Sequence, residues 1–130
     1  MSNVNFLKCK ANGSIVYAVQ DRSDGDVCEE LLTAIKPNTS DGAYEKHVPV
    51  VDIDRKRVCV SVGSTLHPML DTHYIQWIAL ATDRSVYFRY LKPDTDPKAV
   101  FELTDGEIPE AVYEFCNLHG LWMNDIAGTD

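Results

Sequence analysis

Four histidines and four cysteines occur in this 130-residue chain, and five of those side chains have the types and spacing of a metal centre. Cys116 and His119 stand in Cys-Asn-Leu-His-Gly, residues 116–120. A Cys-x-x-His step is the spacing of a metal knuckle, where a tight turn brings thiolate and imidazole onto one ion, and Gly120 suits the backbone release after it. His67 precedes Pro68, which biases its backbone towards an extended conformation and fixes the direction of the imidazole. His47 and His73 complete the set. A single loop histidine is more often a plain surface residue, but four of them with a Cys-x-x-His favour metal. A structural zinc site takes four tetrahedral ligands, usually richer in sulfur. Four imidazoles and one thiolate make one ligand too many for that, and five donors with an open sixth position suit a redox-active iron better.

These residues must be positioned by short strands. After the turn formers Lys36–Gly42, the hydrophobic period becomes two. Arg57–Val62 alternates Val58, Val60 and Val62 against Cys59 and Ser61. His73–Thr82 sets Tyr74, Gln76, Ile78 and Leu80 against Ile75, Trp77 and Ala79, and Ser85–Leu91 continues the alternation. Thr82-Asp83-Arg84-Ser85 between the last two reads as a hairpin turn. His47–Ile53, Ala99–Leu103, Ala111–Phe115 and Leu121–Ile126 are further candidates. Seven short strands separated by Gly, Pro and Asp turns predict an all-β antiparallel sandwich. All four histidines fall at strand ends or in connections, with His47 opening the first strand and His119 between the last two. Upstream, Ser14–Val19 is strand-like, and Val27–Ile35 has helical spacing in a segment too short to assign.

Composition narrows the function classes. Twelve basic residues against twenty acidic ones give a net charge of -8, which argues against a nucleic-acid binder, because phosphate neutralisation needs a basic face. With 45% apolar and 25% charged residues, the chain is an ordinary globular protein, large enough to fold without disulfide staples. The scattered cysteines do not form a secreted disulfide framework. No signal-peptide shape or membrane-length apolar run is visible, so a cytoplasmic protein is expected.

Five segments carry a family resemblance: EKHVPV (Glu45–Val50), HPM (His67–Met69), HYIQWIAL (His73–Leu80), YLKP (Tyr90–Pro93) and CNLHGLW (Cys116–Trp122). In order and at compatible spacing, over about Asp41 to Met123, they resemble the superoxide reductases of the desulfoferrodoxin and neelaredoxin family. The resemblance implies an immunoglobulin-like seven-stranded sandwich over 41–130 carrying one mononuclear iron. His47, His67, His73 and His119 would be equatorial ligands and Cys116 the axial thiolate. Glu45 matches the carboxylate at the sixth position in the resting oxidised state, and Lys46 the loop lysine near the open position in the reduced state. The implied reaction is one-electron reduction of superoxide to hydrogen peroxide, with re-reduction by an external donor such as a rubredoxin or a flavoprotein reductase. Homo-oligomers, dimer or tetramer, are also implied. Because the whole protein is acidic, attraction for an anionic substrate must be local, from the site and Lys46.

Two-iron members of that family carry an N-terminal rubredoxin-like domain with four cysteine ligands. Here Cys9 and Cys28 match two of them, while Asn12 and Glu29 replace the others. Residues 1–40 are therefore expected to be a vestigial desulforedoxin-like domain without iron, and Cys59 a free thiol. Two other readings compete: a non-catalytic iron-binding electron-transfer module, and an immunoglobulin-like interaction domain with adventitious zinc.

Overall fold

A computed structural model describes residues 5–19 and 30–127. The chain separates into two compact units, divided between Lys36 and Pro37.

The first unit is a three-stranded antiparallel sheet of order β2-β1-β3, built from β1 (Phe6–Cys9), β2 (Ile15–Tyr17) and β3 (Leu32–Ala34). A tight turn joins β1 to β2: the Cys9 N–H donates to the Ser14 carbonyl at 2.8 Å, and the Gly13 N–H to the Cys9 carbonyl at 2.8 Å. Gly13 has φ +77, a left-handed conformation that glycine adopts without a steric penalty. The segment Val27–Ile35, whose spacing is helical but too short to define an element, contains strand β3. Its first residues, with Cys28, lie outside the described residues.

The second unit holds seven strands in two antiparallel sheets. One has the order β10-β9-β6-β7, from β6 (Ile75–Thr82), β7 (Val86–Tyr90), β9 (Pro109–Cys116) and β10 (Gly120–Asp125). The other has the order β4-β5-β8, from β4 (Pro49–Asp54), β5 (Arg57–Val62) and β8 (Lys98–Glu102). The connection from β7 to β8 changes sheets, so β8 returns beside β5 rather than beside β7. This is the expected seven-stranded sandwich, and all pairings are antiparallel.

Period-two patterning decides which faces meet. Val58, Val60 and Val62 of β5 pack against Ile78, Leu80, Phe101 and Val112 in the core, while Cys59 stays half-buried on the outer face. A register slip of one residue would turn all three valines to water, at about 1.5–3 kcal/mol for each fully buried side chain. Strict alternation fails on β6. Register irregularities between Ile75 and Trp77 and between Ala81 and Thr82 interrupt the β6·β9 ladder, and Ile75 joins Ile78 and Leu80 inside the core.

At the hairpin Thr82–Ser85 the Thr82 N–H donates to the Ser85 carbonyl at 2.8 Å, as the turn reading expected. Beside it, buried Glu107 accepts hydrogen bonds from the hydroxyls of Thr82, Tyr87 (2.7 Å) and Thr104 (3.0 Å), and from the Thr104 N–H (3.0 Å). Burial alone would raise the pKa of this carboxyl, yet the four donors outweigh it and hold it down to about 2. Glu107→Ala strands those donors in a closed site and is expected to cost about 2–3 kcal/mol, since bonds to a charged acceptor are worth about 1.5–3 kcal/mol. Urea unfolding at neutral pH measures it; a loss below 0.5 kcal/mol, on the order of an ordinary surface substitution, would show that the clamp is dispensable.

Candidate metal centre

Four separate segments bring the five donors together at one end of the sandwich. His47 is the last residue of a single helical turn, α1 (Tyr44–His47), and not the first residue of a strand as its sequence position suggested. The reason is local. Val48 precedes Pro49 and is held extended at φ -71, ψ 122, because a proline ring disfavours the helical region for its predecessor. The turn therefore stops at His47, and β4 begins at Pro49.

The loop carrying His67 docks on the backbone of α1. The Thr65 N–H donates to the Glu45 carbonyl at 2.9 Å, and the His67 N–H to the Val62 carbonyl at 2.7 Å. Gly63 makes this approach possible: a Cβ there would lie 2.7 Å from the Glu45 carbonyl oxygen and 3.0 Å from that of Val48. His73 closes a turn with Leu70, each donating its N–H to the other's carbonyl. Asn117 ties that turn to the Cys116–His119 knuckle, accepting the Tyr74 N–H at 2.9 Å and donating to the Thr72 carbonyl at 3.0 Å.

The imidazoles form a closed square. Ring centroids of His47 and His67, His67 and His73, His73 and His119, and His119 and His47 lie 4.7, 4.6, 5.1 and 4.8 Å apart, with neighbouring planes nearly perpendicular. His47 and His73 stand 6.5 Å apart across the diagonal. The Cys116 sulfur lies 3.9 Å from His119 Nδ1, and one donor atom from each of the five residues falls within 4.8 Å of all the others.

Protonation states show what the square is suited to hold. His47 Nδ1–H donates to the Ala43 carbonyl at 2.8 Å, and His67 Nδ1–H to the Pro68 carbonyl at 2.7 Å. A carbonyl only accepts, so each neutral ring has its bare lone pair on Nε2. Those two Nε2 atoms face each other at 3.2 Å, where no hydrogen bond can form between two acceptors. His73 Nε2 is buried with no partner. Lone pairs converging on one point, with the opposite ring nitrogens fixed by backbone carbonyls, are the arrangement that holds a cation. The donor set thus fits a metal.

Electrostatics favour the metal-ready forms of the histidines. Burial pushes His67 down to about 4, against the opposing hydrogen bond to Pro68. Burial also lowers His47 and His73, helped by neighbouring histidines and Lys46. The Lys46 charge therefore reaches the cluster although its side chain is exposed, as is that of Glu45 on the same turn. Burial raises the Cys116 thiol, opposed by the backbone N–H groups of His119 and Leu118. A thiolate there needs a cation beside it.

Several contributors carried no legible signal as single residues. Asn117, Gly42 and Gly63 act through contacts distant in sequence. Glu114 had one available clue: it occupies the inward position between Val112 and Cys116 on β9. It is fully buried, neither carboxyl oxygen has a partner, and burial pushes its pKa well above the carboxylate range.

The fold and donor set define a class, an antiparallel β-sandwich with a cluster of four imidazoles and one cysteine sulfur at its end. The sequence profile of the family described as Desulfoferrodoxin matches residues 39–125, and the chain belongs to that family. A desulfoferrodoxin of Syntrophotalea carbinolica is 40% identical over 123 residues, covering 94% of this chain and 96% of that protein. One from Nitratidesulfovibrio vulgaris is 42% identical over 119 residues, covering 90% and 92%. Among solved structures, the superoxide reductase of Treponema pallidum superposes with a TM-score of 0.77 at 35% identity, covering 95% of this chain and all of that one. Among the described residues, no helix is long and apolar enough to cross a membrane.

Proposed function

We propose that the protein is a superoxide reductase that converts superoxide, with one electron and two protons, into hydrogen peroxide at a mononuclear iron. His47, His67, His73, His119 and Cys116 are the ligands, one iron per chain, with no second centre. The observation that carries this reading is the approach of the bare Nε2 atoms of His47 and His67 within the square of imidazoles. When bound there, iron supplies the one-electron redox chemistry.

The chain's own residues supply the rest. Four neutral imidazoles and one thiolate leave ferrous iron with a net positive charge, so the site attracts an anion in an acidic protein. Lys46 adds a cation on exposed α1 and holds a proton for delivery through water. Glu45, on the same turn, would supply a carboxylate to the metal when it is oxidised. The N–H groups of Leu118 and His119 beside the sulfur tune its electron donation. Similarity to a superoxide reductase over nearly the whole chain favours the enzyme over a non-catalytic electron-transfer module.

The electron comes from an external donor, a rubredoxin or a flavoprotein reductase. The protein works in the cytoplasm as a homo-oligomer, dimer or tetramer. Residues 1–40 are a vestigial desulforedoxin-like domain, and 41–130 the iron-binding sandwich. Supporting this, the β1–β2 turn keeps a knuckle at Cys9, but Asn12 uses its side chain to accept the Ser14 N–H at 2.9 Å. Cys28 lies outside the described residues.

The deciding experiment is metal analysis and a visible spectrum of the purified oxidised protein, followed by pulse radiolysis against superoxide. About one iron per chain, a thiolate-to-ferric charge-transfer band and rapid superoxide decay are expected from a five-ligand thiolate site. A colourless zinc protein would sink the proposal. Two irons per chain would overturn the vestigial assignment of residues 1–40.

A further inference from the structure

Trp122 contacts two of the proposed ligands, His47 and His119, which come from two different segments. It lies on β10, fully buried at 0% exposure. Its indole stacks on the His47 ring, with centroids 4.8 Å apart and planes at 29°. Its Nε1–H donates to the His119 carbonyl at 3.0 Å. Tyr44 presses an edge against the indole at 5.2 Å. Gly42 leaves room for both rings: a Cβ there would lie 3.1 Å from Trp122 Cζ2 and 3.2 Å from His47 Cε1.

Resting on the reading of the five donors as a metal site, we infer that Trp122 is a positioning residue that sets His47 and His119 for metal binding. Each ligand has one degree of freedom that Trp122 removes. His47 is anchored at Nδ1 by the Ala43 carbonyl, which leaves rotation of the ring about that hydrogen bond, and the stacked indole fixes its plane. His119 sits in a turn before Gly120 at φ +79, and the indole N–H holds the carbonyl of that turn. The two constraints together define the 3.0 Å separation of His47 Nε2 and His119 Nδ1. Groups that orient metal ligands in this way cost about 10–100-fold in affinity when removed.

Two substitutions separate the contacts. Trp122→Phe keeps a ring against His47 and deletes the N–H to His119; Trp122→Leu deletes both. Zn²⁺ affinity of the chelator-stripped protein, measured by competition with a chromophoric chelator, is expected to fall about 10–100-fold in the leucine variant, with partial recovery in the phenylalanine variant. A purely structural role lowers folding stability without that graded recovery, so wild-type Zn²⁺ affinity in both variants would overturn the inference. If the leucine variant does not fold, Gly42→Ala serves instead. It crowds the indole and His47 without removing a core atom, and unchanged Zn²⁺ affinity there would also overturn the inference. A third readout uses no activity: Co²⁺ titration should quench indole emission strongly in wild type and weakly in Trp122→Phe, where only Trp77 remains. Equal quenching in both overturns it. Failure of the wild-type protein itself to bind Zn²⁺ or Co²⁺ would instead refute the metal site and the proposed function with it.

Discussion

Cys116→Ser is expected to abolish the visible band of the oxidised protein and to slow superoxide reduction by more than about 100-fold, because loss of a ligand exceeds the 10–100-fold typical of its supporting groups. Cys116 is the soft, anionic donor of the proposed set, fully buried at the end of β9. The backbone N–H groups of Leu118 and His119 are aimed at its sulfur, so the turn is built for negative charge there. Burial opposes that charge in the metal-free protein, and ionisation therefore accompanies metal binding. A serine hydroxyl has the shape but neither the softness nor an accessible anion, and it gives no sulfur-to-metal transition. The fold should survive, since Ser differs by one atom and the rest of the core cluster to which Cys116 belongs is unchanged. Circular dichroism with visible absorption and pulse radiolysis checks this. Retention of the band with a normal decay rate would remove Cys116 from the centre.

How much of this was legible in the sequence differs by length scale. The strands were readable because each inward position is fixed by a period of two and each end by a turn former; Arg57–Val62 shows both. The donors were readable because the Cys116–His119 spacing is local and His67-Pro68 constrains a backbone by itself. What escaped depends on partners distant in the chain. The pattern places His47 in a strand because a one-turn helix has too few residues to show a period, and Pro49 rather than any helical signal ends it. The irregularity at Ile75–Trp77 is a property of two paired strands, so no single strand's pattern reveals it. Gly42 and Gly63 look like ordinary turn glycines, yet each leaves space for an atom from a remote segment. The choice of ligating nitrogen follows from the carbonyls of Ala43 and Pro68, whose placement only the folded chain supplies.

The second large effect is on acid stability. The metal-free protein is expected to lose stability steadily as pH falls from about 7 to 4.5. Free His titrates near 6.5, while burial holds His67 to about 4 and also lowers His47 and His73. Between those values the unfolded chain binds protons that the folded chain does not, so stability rises with pH in that window. The loss begins as pH drops through about 6.5, the unfolded value, and for His67 is complete near its folded value. His67 alone, at 3% exposure, accounts for about 2–3 kcal/mol by pH 4.5, from roughly 1.4 kcal/mol per unit of pKa displacement. The same protons compete with metal for Nε2 of His47 and His67, so bound iron should leave over the same range rather than at the lower pH where carboxylates titrate. Urea midpoints of the stripped protein at pH 7 and 4.5, with iron content after dialysis at each pH, test both halves. A flat urea midpoint would mean that the imidazoles are not held neutral by burial. Iron retained quantitatively at pH 4 would mean that histidines do not provide most of its ligands, because protonation of even one corner of the square leaves a cation facing the metal.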